Sequence, residues 1–343
     1  LDWIGAHVAE NKIRNIFSLI YQDEKIGKLI HLAAKNDNID IVKILLSQEG
    51  IKFSERCLEK CESLTEISIP SSVTSIDDYA FNECYSLKQV SIPSSVTSIG
   101  KYSFGNCSSL TEISIPSSVT SIKESVFDRC RSLKSVSIPE SIHLISSRMF
   151  SNCLSLVEIV IPNSVVSIKK FAFFNCTSLT IINIPSSVTL IEESAFKNCS
   201  SLVQIEIPSS ITQIKNSTFC GCSSLKQISI PSSVTIIEDC AFYGCSSLKE
   251  ILIPSSVASI KKEAFRECSS LTKITFENPS HINAIENGVF KNCSSLSRIS
   301  IPSSVLIIRE SAFEGCSSLS RKSIPSNLVV PDSKTTDYFN IFY

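Results

Sequence analysis

Cysteine is the residue type of this chain with the greatest capacity for chemistry. The sequence holds 15 cysteines, and most of them return at one nearly constant spacing. Each step is 23 residues, except the 25-residue step from Cys268 to Cys293. Cysteines at one repeat position must stack in a column, either as buried thiols or as disulfides between neighbouring units. The regularly spaced members are Cys61, Cys84, Cys107, Cys130, Cys153, Cys176, Cys199, Cys222, Cys245, Cys268, Cys293 and Cys316.

Patterns that bind metals or catalyse reactions do not occur in the sequence. Cys220 and Cys222 are separated by one residue and have no histidine nearby, which does not match the spacing of a zinc site. The four histidines do not pair at metal-ligand spacing, and no glycine-rich phosphate-binding motif is present. We therefore expect a protein that is not an enzyme and that needs no cofactor or metal.

The stretch from Cys107 to Arg129 shows how each 23-residue unit is built. Ile113 and Ile115 alternate with polar residues, which is the period-two pattern of a half-buried strand. Pro116 ends this strand because proline cannot donate a hydrogen bond to a sheet. The first half of the unit therefore predicts a short strand followed by a turn.

The second half of the unit predicts a second extended segment and then a compact turn. Val119 and Ile122 are apolar with two polar residues between them. The residues from Lys123 to Arg129 predict a short helical or 3-10 turn that carries Phe127 into the core. The same aromatic position recurs as Phe81, Phe104, Phe127, Phe150, Phe173, Phe196, Phe219, Phe242, Phe265, Phe290 and Phe313.

One such unit cannot bury its apolar face alone, but stacked units can, so the repeats predict a solenoid. Residues 61–325 resemble the BspA-like, or Treponema-type, leucine-rich repeat, through the pattern C-x-S-L-x-x-I-x-I-P-x-S-V-x-x-I-x-x-x-A-F-x-x. The resemblance implies a right-handed stack of about twelve units, with the first strand of each unit on the concave face. It also implies a non-enzymatic role in adhesion and protein–protein contact, because such repeats occur in bacterial surface proteins and in parasitic protists.

The first 52 residues differ in kind from the repeats. The segment from Gly27 to Gly50, GKLIHLAAKNDNIDIVKILLSQEG, resembles an ankyrin repeat, with LIHLAA in the first helix and IVKILL in the second. We expect a small helical, ankyrin-like cap over residues 1–52, repeats over residues 53–325 and a C-terminal cap or tail over residues 326–343. The junction from Lys52 to Lys60 predicts a half-unit, with Leu58 at the phenylalanine position.

Charge and hydropathy narrow the classes of partner. The chain has 32 basic and 33 acidic residues and a net charge of −1, so no basic surplus favours nucleic acid or an anionic membrane. No apolar run reaches the 18 residues that predict a membrane span. Residues 1–20 mix charged and apolar positions and do not match a secretory signal. We expect other proteins as the partners.

The outward residues of the first strands form the surface that could bind such a partner. Their leading column changes from acidic or neutral to basic at Lys273, Arg298 and Arg321, which predicts a docking site for an acidic segment. Val160 and Ile181 place apolar area on neighbouring units and predict an alternative site. The column reads Glu66, Gln89, Glu112, Ser135, Glu158, Ile181, Gln204, Gln227, Glu250, Lys273, Arg298 and Arg321.

Two interpretations of the function remain open at this point. The family resemblance favours a surface-antigen or adhesin-like scaffold at the cell surface, with a host surface protein as one class of ligand. The ankyrin-like start, the expected free thiols and the absence of a signal peptide or span in these residues favour an intracellular ankyrin and leucine-rich-repeat adaptor in the cytoplasm.

Overall fold

The computed structural model describes residues 23–36, 38–46, 53–320 and 324, and it shows a parallel-strand solenoid of about eleven turns. Each repeat forms one layer, which we call a rung. The chain divides into two compact units, Leu1–Ser141 and Ile142–Tyr343. The first strands of the rungs are β1 (Glu66–Ser68), β3 (Gln89–Ser91), β5 (Glu112–Ser114), β7 (Ser135–Ser137), β9 (Glu158–Val160), β11 (Ile181–Asn183), β13 (Gln204–Glu206), β15 (Gln227–Ser229), β17 (Glu250–Ile253), β19 (Lys273–Phe276) and β21 (Arg298–Ile299).

A second strand of two residues follows each of these first strands, as the sequence predicts. Every strand pair is parallel, and the paired residues stand one repeat apart, as Ile113 and Val136 do. The pairing of Lys273 with Arg298 absorbs the 25-residue spacing. The second strands are β2 (Ser75–Ile76), β4 (Ser98–Ile99), β6 (Ser121–Ile122), β8 (Leu144–Ile145), β10 (Ser167–Ile168), β12 (Leu190–Ile191), β14 (Gln213–Ile214), β16 (Ile236–Ile237), β18 (Ser259–Ile260), β20 (Ala284–Ile285) and β22 (Ile307–Ile308).

The core of each unit is a stack of identical layers. The central residue of a first strand points inward, and its two neighbours point outward, as in the exposed–buried–exposed pattern of β5. The predicted phenylalanine column is fully buried and its rings stack face to face. Successive rings lie 5.1 Å apart at Phe81 and Phe104, and 5.4 Å apart at Phe173 and Phe196. Burial of each such ring contributes about 1.5–3 kcal/mol in transfer free energy.

The segment between the second strand and the cysteine is not helical, and the prediction of a helical or 3-10 turn over Lys123 to Arg129 is wrong. Ser125 and Arg129 have φ values of +59° and +61°, which interrupt any right-handed helix. Alternate backbone N–H groups donate to the neighbouring rung instead, as that of Phe104 does to the carbonyl of Val126 at 3.1 Å. The segment is therefore a chain of tight turns that forms a third hydrogen-bonded side of the rung.

Among the described residues, two helices precede the repeats, α1 (Asp23–Lys35) and α2 (Ile39–Leu46). The Nδ1–H of His31 donates to the carbonyl of Arg56 at 2.7 Å, which ties α1 to the residues just before the first complete rung. These residues form the predicted half-unit, because Phe53 bridges to Ile76 and the N–H of Leu58 donates to Ala80 at 2.8 Å. Two helices do not by themselves establish the predicted all-α ankyrin-like cap.

Several predictions concern residues outside the described part of the chain. The twelfth first strand, which includes Arg321, belongs to this group. The start of the predicted N-terminal cap and the tail over residues 326–343 also fall there.

Candidate protein-binding face

The cysteine column is structural in its geometry. All fifteen cysteines are free thiols, and the members of the column are buried. Their sulfurs donate to a backbone carbonyl one rung earlier, at distances between 3.0 and 3.3 Å. The donors are Cys84, Cys107, Cys130, Cys176, Cys199, Cys222, Cys245, Cys268, Cys293 and Cys316. The spacing allows either buried thiols or disulfides between neighbouring rungs, and the structure contains the thiols.

Burial also removes the reactivity that a thiol column could have. Loss of hydration raises the pKa of the Cys268 and Cys316 thiols to about 12. The nucleophile and the metal ligand is the thiolate, which these groups cannot form near neutral pH. Among the described residues, no group of three or more His, Cys, Asp or Glu side chains is placed to hold a metal ion.

The first-strand face is the outward surface made by the first and third residues of the first strands. Its predicted apolar residues lie on adjacent strands, where Val160 pairs with Asn183 and Ile181 pairs with Glu158. Val160 is 78% exposed and Ile181 is 59% exposed. Val157, which the repeat pattern alone did not single out, comes directly before β9 and borders the face as a third exposed aliphatic side chain, at 46% exposure. Its signal was available, because most repeats carry lysine, threonine or serine at that position.

The predicted basic residues lie at the other end of the same face. Lys273 and Arg298 are register partners on neighbouring strands, and both are exposed. Paired parallel strands lie about 4.8 Å apart, so the two side chains share one surface. Arg321 lies outside the described residues, and the three-residue cluster is therefore seen only in its first two members.

The first-strand face differs from the surface after the second strands in how its charges are paired. Directly after the second strands, basic and acidic residues pair between rungs, as Lys169 does with Glu192 at 2.9 Å and Lys215 with Glu238 at 3.0 Å. Within the described part of the chain, by contrast, Lys273 and Arg298 have no carboxylate within 4 Å. Charges on the first-strand face are thus available to a partner, whereas those after the second strands largely satisfy one another.

The six-residue FENPSH segment, Phe276 to His281, borders the basic end of the face. It folds back onto Ser255 of the preceding rung, whose N–H and hydroxyl donate to Glu277 at 2.8 and 2.9 Å. The Nδ1–H of His281 donates to the Ser255 carbonyl at 2.8 Å. The two-residue insertion is therefore accommodated by a tethered loop at the edge of the sheet.

No helix in the described residues has both the length and the apolar character that crossing a membrane requires.

Comparison with known proteins identifies the repeats. The model of the BspA type leucine rich repeat region matches residues 35–156, 143–255 and 219–335, and it counts six copies. No match was found among curated proteins. The ankyrin resemblance of the N-terminal segment received no support.

Three solved bacterial structures are similar to this chain. A leucine-rich repeat protein from Bacteroides ovatus is 31% identical, with a TM-score of 0.66 over 78% of this chain and 75% of that one. A leucine rich cell surface protein from Faecalibacterium prausnitzii is 33% identical, with a TM-score of 0.57 over 82% and 78%. A leucine-rich repeat protein from Eubacterium ventriosum is 27% identical, with a TM-score of 0.50 over 75% and 71%.

Proteins built from leucine-rich repeats are typically scaffolds for contact with other proteins, and they are generally not enzymes. The chain belongs to the BspA-type leucine-rich repeat family.

Proposed function

We propose that this protein is a non-enzymatic interaction scaffold that binds protein ligands through its first-strand face. The observation that carries the proposal is the contrast in charge pairing between this face and the residues that follow the second strands. An acidic segment of the ligand docks at Lys273 and Arg298, where the guanidinium can hold a carboxylate through two hydrogen bonds. Arg321, which is outside the described residues, is the third basic residue of the same column in the sequence.

The setting that we propose is the cell surface, with an antigen-like or adhesin-like role and a host surface protein as the ligand. Support comes from the relative from Faecalibacterium prausnitzii, which is described as a cell surface protein and is 33% identical. The ligand class remains a protein because the face offers exposed aliphatic and charged side chains along paired strands, which suit an extended or helical segment.

The proposal is tested by blocking the face without disturbing the core. Gln204→Arg with Ser229→Arg places two bulky cations on exposed positions of the first-strand face. Thr212→Arg with Thr235→Arg places the same groups on exposed positions beside the second strands and serves as the matched control. Proteins that bind the wild-type chain should be lost from the first variant and retained by the second. Equal binding to both variants would contradict the proposal.

The second candidate is an intracellular adaptor, and one observation favours it. Fifteen cysteines that are all free thiols fit a reducing compartment. An ankyrin-like N-terminal cap, if the helices α1 and α2 belong to one, would suit the same role. Labelling of intact cells with an impermeant amine reagent separates the candidates, since only a surface protein should be tagged before the cells are lysed.

A further inference from the structure

Glu158 has surroundings that set it apart from the other acidic residues of the first-strand face. Val157 comes directly before it in the chain, Val160 follows two residues later on the same strand, and Ile181 is its register partner on the next strand. All three of these aliphatic side chains are exposed, and so is the carboxylate. Glu158 forms no ion pair with any residue in the described ranges.

Comparison with Glu112, two rungs earlier, shows what is unusual about the surroundings of Glu158. Glu112 occupies the same column, but its neighbours are Thr111 and Ser114, and its register partner is Ser135. A carboxylate among hydroxyl groups is an ordinary solvated surface. A carboxylate among aliphatic side chains offers both a charge and an apolar contact to a single ligand group.

The chemistry of that ligand group follows from what covering the site would cost. A purely aliphatic ligand would bury the Glu158 carboxylate without a partner, which is strongly unfavourable. An acidic ligand would be repelled. A lysine or arginine side chain avoids both penalties, because its methylene stem packs on apolar surface while its charged head meets the carboxylate.

We propose that Glu158, Val157, Val160 and Ile181 form a subsite for a lysine or arginine side chain of the protein ligand. The inference rests on the proposed function and adds to it the chemistry of the ligand. Glu158 and Lys273 stand in the same column five rungs apart, which is about 24 Å at the usual strand separation. About seven extended residues cover that distance. The ligand segment is therefore basic and apolar at one end and acidic at the other.

A displayed library of random 16-residue peptides provides the probe. The full chain, its Glu158→Lys variant and its Glu112→Lys variant are used as targets in parallel selections. Wild type and Glu112→Lys should enrich peptides in which lysine or arginine stands beside an aliphatic or aromatic residue. Glu158→Lys should replace that cation by aspartate or glutamate. The same peptides from wild type and Glu158→Lys, or no enrichment at all, would overturn the subsite.

A direct measurement complements the selection. The most enriched wild-type peptide is synthesised with a fluorophore, and its Kd is measured by anisotropy. Glu158→Gln should raise this Kd about tenfold, whereas Glu112→Gln should change it less than twofold.

Sedimentation of the peptide-free chain tests whether a second copy of the chain occupies the subsite. A wild-type dimer that Glu158→Lys dissociates would overturn the proposal. Peptides that bind the first-strand face independently of Glu158 would leave the proposed function intact and remove only the subsite.

Discussion

The sulfur of Cys176 donates to the backbone carbonyl of Phe150 at 3.1 Å, one rung earlier in the solenoid. The same carbonyl also accepts the N–H of Cys153 at 3.2 Å, which closes the tight turn before the first strand. One backbone acceptor thus fixes a turn within its own rung and holds the next rung above it. Because this relationship repeats along the column, the cysteines act as a hydrogen-bonded seam beside the phenylalanine stack.

Removing one thiol from the seam should weaken the stack. Cys176→Ala deletes a buried sulfur and its hydrogen bond, and we expect a loss of about 1–2 kcal/mol in the free energy of unfolding. The midpoint of urea unfolding, followed by circular dichroism, measures the effect. Cys240→Ala is the control, because Cys240 lies off the column and is partly exposed. Equal midpoints for the two variants would show that the seam contributes little.

The buried thiols also make the stability depend on pH. Desolvation raises the pKa of the Cys268 and Cys316 thiols to about 12, whereas an unfolded cysteine titrates near pH 8.5. A folded pKa above the unfolded one means that the stabilisation is fully present below about pH 8.5 and is lost as the pH rises toward 12. We expect the thermal midpoint to fall steadily from pH 8.5 to pH 11.

Thiolate absorbance near 240 nm checks the same prediction directly. In the folded protein at pH 9.5, few of the fifteen thiols should be ionised, and most should ionise once urea is added. If most thiols of the folded protein ionised near pH 8.5, the cysteines of the column could not be buried as the structure shows.

The sequence predicts the layers of this fold well and the third side of each rung poorly. Ile113 and Ile115 alternate with polar residues, and that local pattern alone specifies the first strand. The tight turns at Ser125 and Arg129 depend on hydrogen bonds to the neighbouring rung, which no local pattern encodes. A signal was nevertheless present, since glycine and asparagine dominate the position before the cysteine, where φ is positive.

The candidate face was only partly predictable for a similar reason. Register follows from the repeat, so the neighbouring positions of Val160 and Ile181 and of Lys273 and Arg298 could be stated in advance. The ion pair between Lys169 and Glu192 could not be predicted in this way, because it depends on side-chain directions after the second strand. Such pairs distinguish the charges there from those of the first-strand face, which are unpaired within the described residues. Phe53, in register with Ile76, stacks on Phe81 at 5.3 Å, although Leu58 holds the phenylalanine position of that half-unit.

Gly244 should tolerate substitution by asparagine but not by a branched side chain. Gly244 has a φ of +69°, and an added Cβ would meet the Cα of Gly221 at 3.8 Å, an ordinary contact distance. Asparagine fills the same column in other rungs, so Gly244→Asn should leave the unfolding midpoint nearly unchanged. Gly244→Val should cost about 1–2 kcal/mol, because a branched side chain resists the left-handed region. The rungs with asparagine in this column include Asn106, Asn152, Asn175, Asn198 and Asn292.

Gly100 is required for a different reason. A Cβ there would lie 2.5 Å from backbone atoms of Asp77 and Asp78, and Lys123 reaches across the glycine to bind Asp78 at 3.1 Å. Gly100→Ala should therefore cost about 1–3 kcal/mol through overpacking, measured again by urea unfolding. A fully stable Gly100→Ala variant would mean that the two rungs can separate at this point without loss.

The basic end of the first-strand face should control how fast an acidic ligand binds. Lys273 and Arg298 are register partners without an internal carboxylate partner among the described residues, and their separation is below the Debye length of about 10 Å at 0.1 M salt. Their fields therefore add and attract an approaching acidic segment. Replacing Lys273, Arg298 and Arg321 by serine should lower the association rate about tenfold at low salt, because charges at an interface act mainly on the approach. The same variant should flatten the dependence of that rate on salt.

Surface plasmon resonance with the recovered ligand, at several salt concentrations, measures both effects. Thr212→Lys adds a cation at an exposed position beside the second strands, off the first-strand face, and is the control, and it should leave the association rate within about twofold. An unchanged rate and salt slope in the triple variant would mean that the basic residues do not contact the ligand. Binding would then have to be sought at Val160 and Ile181, where exposed aliphatic side chains should make dissociation, rather than association, the step that mutation alters.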